Sequence, residues 1–64
     1  MGELTPAHYR LTGCGTHTLT TACPHHLTLW LESHGLSRRA ARLLATETLL
    51  RGWAGWERVQ LERT

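Results

Sequence analysis

Cys14-Gly15-Thr16-His17-Thr18-Leu19-Thr20-Thr21-Ala22-Cys23-Pro24-His25-His26 holds both cysteines and three of the five histidines of a 64-residue chain. Its pattern is C-x2-H, five residues, then C-x2-H. That offers four soft or borderline ligands in two pairs, each spaced to flank a tight turn and bite one ion. Thiolate sulfur and imidazole nitrogen suit tetrahedral zinc, and a Cys2His2 set closes its shell. The expected metal ligands are therefore Cys14, His17, Cys23 and His26, with Zn2+ as cofactor. Two other readings stay open: a disulfide between the cysteines, or two free thiols among polar histidines. His25 or His8 could also replace His26 or His17.

Pro24 suits the first position of a helix, where its missing N–H is not needed. His26 then falls in the first helical turn, on the same side as Cys23. A knuckle, a hairpin and a helix carrying the second ligand pair resemble a treble-clef zinc site over residues 14–34. That resemblance implies an architecture and no particular function.

Length points the same way. A chain of 64 residues is one domain, and at that size only about 60% of the unfolded surface is buried, so a staple is commonly needed. Core-forming residues are sparse, with no Phe or Ile, one Val and three Trp among many Leu. All seven basic residues are Arg and all five acidic ones Glu, for a net charge of +2. This mild excess does not by itself imply nucleic acid. The absence of Lys, Ile, Phe and Asn, whose codons are AT-rich, suggests a GC-rich bacterial genome. Residues 1–6 carry no basic cluster or apolar run of a signal peptide, and no stretch approaches the roughly 20 apolar residues of a membrane span. A cytoplasmic chain is expected, where thiols stay reduced.

Along the chain, residues 1–6 read as a flexible tail and residues 7–64 as a single zinc-binding domain. His8 to Thr12 alternates, with Tyr9 and Leu11 on one face, and predicts a strand. Gly13-Cys14-Gly15 is a turn, and Thr16 to Thr21 the return strand. A first helix is expected from Pro24 to His34, with Leu27, Trp30, Leu31 and His34 as its apolar stripe and Gly35 as its stop. Ser37 caps a second helix from Arg38 to Arg51. The stripe predicted for it is Ala40, Leu43, Leu44 and Leu50, with Arg38, Arg42, Ala45 and Leu49 opposite. Glu47 and Arg51 are spaced to pair. Gly52 to Trp56 reads as punctuation, and Glu57 to Arg63 as a closing strand with Val59 and Leu61 on one face. The expected fold is α+β, ordered ββααβ.

Gly35, Leu36, Ser37, Ala41 and Leu44 match the helix-turn-helix pattern of a turn glycine, an apolar residue, a capping serine and buried helix positions. The segment from Leu27 to Leu44 resembles the helix-turn-helix of small excisionase-like and repressor-like proteins. Leu31 departs from that pattern, which favours Ala or Gly there. The resemblance implies that Arg38, Arg39 and Arg42 face DNA and that Glu57 to Arg63 forms a wing. Arg suits phosphate and bidentate guanine contacts, although a solvated helix face would carry such residues too. Trp53 and Trp56 are expected to supply core volume, the alternative being an exposed anchor for a protein. No Asp is present, no nucleophile has a recognisable setting, and no enzyme is expected. Two functions follow: a zinc-stabilised nucleic-acid-binding regulator, or a zinc-stabilised protein-interaction adaptor, either of which a homodimer would suit.

Overall fold

The computed structural model describes residues 5–64; of the tail expected over residues 1–6, residues 1–4 lie outside them. The order is β1 (Ala7–Thr12), β2 (His17–Thr21), α1 (Pro24–Ser33), α2 (Arg38–Arg51), β3 (Trp53–Trp56) and β4 (Val59–Arg63). The four strands form one antiparallel sheet in the order β2-β1-β4-β3. The expected α+β class and both helices are present. β3 is an addition: Trp53-Ala54-Gly55-Trp56 is a strand, not punctuation, turning through Glu57 and Arg58 into β4. Two glycine-rich tryptophan steps read as a loop, but aromatic side chains favour strands once a partner lies alongside. β4 lies between β1 and β3 and is an inner strand, not a projecting wing.

Successive strand side chains point to opposite faces. Tyr9 and Leu11 of β1, Ala54 of β3 and Leu61 of β4 are buried, and both helices cover that face. α1 contributes Leu27 and Leu31, which are fully buried, while Trp30 packs at the edge of the same cluster. The apolar stripe of α1 therefore stands as expected.

The stripe of α2 needs correction. Its buried residues are Ala40, Ala41, Leu44, Ala45 and Thr48. Leu43 is 43% exposed and Leu50 80% exposed, so the helix is rotated toward its alanines. Small residues let its backbone approach α1 and the sheet closely, a steric demand that a count of leucines does not register. Ser37 caps the helix, accepting a hydrogen bond from the Ala40 N–H at 3.1 Å. Gly52 ends it in the left-handed region at φ 91°, where a side chain would be strained. Glu47 and Arg51 pair at 3.3 Å across one helical turn.

Gly13 is required for a second reason. At φ 108°, a Cβ there would overlap the Arg58 carbonyl, so the β1–β2 turn rests directly against the β3–β4 turn.

Thr48 is fully buried, and its hydroxyl has no hydrogen-bond partner among the described residues. A buried unpaired hydroxyl costs about 1–3 kcal/mol. Thr48→Val keeps the shape and removes that group, so the variant is expected to raise the thermal midpoint by several degrees, as about 1 kcal/mol does in a domain this small. A lowered midpoint would show that the hydroxyl is satisfied.

Candidate functional site

β2 and α1 have matched lengths. A five-residue strand rising about 3.3 Å per residue and a ten-residue helix rising about 1.5 Å both span roughly 15 Å. The chain leaves β2, turns at Ala22-Cys23, and α1 runs back along the strand. The end of α1 thus meets the start of β2, where the His34 and His17 rings lie 4.2 Å apart between centroids. Trp30 closes on His34 edge-on at 5.0 Å.

This return separates the expected ligand pairs. Cys14 and His17 sit at the start of β2, Cys23 and His26 at its far end. His17 uses Nε2–H to donate to the Cys14 carbonyl at 3.2 Å. At the other end the Thr21 hydroxyl holds the turn. It accepts from the Cys23 N–H at 3.1 Å and bonds His26 Nδ1 at 3.0 Å. Both cysteines are exposed and free, and the described residues contain no group of three or more His, Cys, Asp or Glu able to hold an ion. No three of the four side chains come together in this arrangement. Zinc therefore rests on residue type and spacing alone, and the length of β2 weighs against a shared ion. Of the possible substitutes, His8 points away from the helices and bonds Thr20 Oγ1 at 2.8 Å, while His25 is exposed on α1.

The arginines are brought together. Arg38 and Arg39 open α2 and Arg42 follows one turn later, all exposed. With Leu43 they line one open surface. The ion pairs of the described residues are Arg10–Glu62 and Arg51–Glu47, so none of the three is neutralised by a described carboxylate. The Arg38 and Arg39 N–H groups lie in the first turn, where no intrahelical acceptor exists. The first turn of α2 contains no acidic residue, and guanidinium groups there oppose the helix dipole. An anion at this place would relieve both features.

Periodicity along α2 did not reveal the second wall of this region. His25, Thr28, Leu29 and Glu32 of α1 face Arg38 and Arg42 across an open depression of about 430 Å3. The apolar stripe of α1 sets His25, Thr28 and Glu32 facing away from it, with Leu29 also off the stripe and free to meet the strands or α2. Their i, i+3, i+4 and i+7 spacing was the available signal, but it names a face without naming what lies opposite. Glu32 opposes an anion in the depression, so the carboxylate-free side bounded by Arg39, Arg42 and Leu43 is the more receptive.

Trp53 and Trp56 separate. Trp56 is half-buried against the core, whereas Trp53 is 49% exposed on the open face of the sheet. Arg51 lies over the Trp53 ring at 4.3 Å. No family model matches the chain, and neither the curated proteins nor the solved structures give a match. Among the described residues no helix is long and apolar enough to cross a membrane.

The turn at the end of β2 supplies a test. Thr21→Val leaves the Cys23 N–H without its acceptor and is expected to cost about 1–3 kcal/mol, whereas Cys23→Ser on the exposed side chain should change little. Excess chelator under reducing conditions should leave the unfolding curve in place. The opposite order, with Cys23→Ser and chelation both unfolding the chain, would show the four ligands gathered on one ion.

Proposed function

We propose that this domain is a nucleic-acid-binding regulator whose α2 N-terminus engages the phosphate backbone through Arg38, Arg39 and Arg42. The observation that carries the reading is the exposure of these three guanidinium groups on one surface, with no described carboxylate paired to any of them. Phosphate is the ligand that planar, permanently charged guanidinium groups match. The first-turn N–H groups add donors aimed the same way. The Gly35-Leu36-Ser37 connection supports the reading, since it fixes where α2 begins and so which side chains crowd its first turn.

The chemistry favours backbone contact over base reading. Phosphate contacts position a protein on a duplex but carry no sequence information. A net charge of +2 supports modest affinity with strong salt dependence. His25, at the rim of the depression, is placed to add a contact.

Binding of a mixed-sequence duplex, followed by fluorescence anisotropy, should weaken steeply as salt rises. Each phosphate contact contributes a log–log slope of about −0.9, so replacing Arg38, Arg39 and Arg42 with Ala should flatten the slope by up to about 2.7. The circular dichroism spectrum should be unchanged, because all three side chains are exposed. Absence of binding at about 50 mM salt with tens of micromolar protein, where non-specific binders register, would overturn this reading in favour of a protein-interaction adaptor.

A further inference from the structure

Among the described residues no strand pairs with the outer edge of β3. Edge strands are usually blunted by charge, proline or a bulge, because their free N–H and C=O groups template pairing with another chain. Trp53-Ala54-Gly55-Trp56 carries none of these within the strand. Which of its groups are free follows from the hairpin. The Arg63 N–H donates to the Gly52 carbonyl at 2.9 Å. Hydrogen-bonded pairs alternate along an antiparallel ladder, so Ala54 bonds to Leu61 and Trp56 to Val59 in the observed register. Trp53 and Gly55 therefore turn their N–H and C=O groups outward, away from β4, where the Trp53 carbonyl already accepts one hydrogen bond from Arg51 Nε.

We propose that this edge pairs with the β3 edge of a second copy of the chain, antiparallel and two-fold symmetric, joining two four-stranded sheets into one. An interface of this kind presents the same patch twice, so its residues must complement themselves. Placing Ala54 opposite Ala54 of the second copy sets Trp53 against Gly55 and Gly55 against Trp53. The four outward N–H and four outward C=O groups of the two strands then form four reciprocal hydrogen bonds. On the open face each exposed Trp53 ring covers the glycine opposite. Gly55 leaves the space to receive it: a Cβ there would find only the Val59 carbonyl oxygen, at 3.8 Å. A cross-strand aromatic over glycine is a recognised stabilising pair.

The helix layer fits the same symmetry. α2 packs over β3 and β4. Strands lie about 4.8 Å apart, so an axis midway between the two β3 strands puts each α2 about 5 Å from it and the two helices about 10 Å apart, close to ordinary helix packing distance. Glu47 and Arg51, paired with each other at 3.3 Å, and Leu43 line that flank beside Ala54 and Gly55, with Leu50 two turns beyond Leu43 on the same side of the helix; the two leucines are 43% and 80% exposed in the single chain. Their apolar exposure, like that of Trp53, is accounted for by one contact. The opposite edge, β2, carries Thr18 and Thr20 on its outer face and offers no comparable apolar flank. Arg51 Nε donates to the Trp53 carbonyl at 3.2 Å. That carbonyl has a second lone pair for the incoming Gly55 N–H.

Sedimentation velocity from about 1 μM to about 1 mM, a range that brackets weak self-association, is expected to show a monomer passing to a dimer. Tryptophan emission should shift to the blue as Trp53 is covered. Gly55→Pro removes an N–H that the internal ladder does not use and should hold the chain monomeric with its circular dichroism intact. Leu50→Glu, at a side chain that does not contribute to the core, should weaken the dimer at least tenfold and serves if the proline variant misfolds. A wild-type chain that stays monomeric throughout, or a dimer equally strong in a folded Gly55→Pro variant and in Leu50→Glu, would overturn the proposal. Nucleic-acid binding is measured separately and can fail without touching this result.

Discussion

Close approach of α2 to the sheet and to α1 is the constraint on which the rest of the structure depends. Ala41 and Ala45 belong to one buried cluster with Leu27 and Leu31 of α1, Leu11 of β1 and Leu61 of β4. Both alanines are buried, and because interiors are packed to near-crystalline density a larger side chain there would press on the neighbouring layers. With no Phe or Ile to fill space, the core is made by bringing backbones together and letting six fully buried side chains, five of them leucines, occupy what remains. Rotation of α2 toward its alanines then dictates its other faces. Leu43 and Leu50 are displaced toward the β3 edge, and Arg38, Arg39 and Arg42 toward open surface.

Much of this was legible in the amino-acid pattern. The alternation of Tyr9 with Leu11 and of Val59 with Leu61 marked inward faces. Pro24, Gly35 and Ser37 located helix ends, because proline, a left-handed glycine and a capping hydroxyl each have a local physical cause that needs no tertiary context. What failed depended on neighbours. The phase of α2 was misjudged because hydrophobicity ranks Leu above Ala, whereas the packing site selects for size. β3 was missed because a four-residue strand has too little periodicity to be distinguished from a turn, and its stability comes from pairing with β4.

The metal reading shows a different limit. Ligand spacing in the sequence is informative when the intervening residues form a turn, which returns the chain on itself. Between His17 and Cys23 they form an extended strand, which carries the two pairs apart. Five residues could do either, and threonine at Thr18, Thr20 and Thr21 favours the strand. The same strand sets the histidines to other work: His17 and His34 stack where β2 and α1 meet, and His26 joins the Thr21 turn. One side of α2 carries Arg38, Arg39 and Arg42 with no described carboxylate paired to them, and its other flank sets Leu43 and the Glu47–Arg51 pair beside the β3 edge.

Amide hydrogen exchange in excess chelator tests most directly whether the fold is held by its helix–sheet core. If that core is the source of stability, the slowest-exchanging amides lie in β1 and β4 at Leu11 and Leu61 and in α2 around Leu44, Ala45 and Thr48, which should open only with global unfolding. Rapid exchange at these positions once metal is withdrawn, with protection returning when zinc is supplied, would contradict the account and place the stability of the chain in a metal staple.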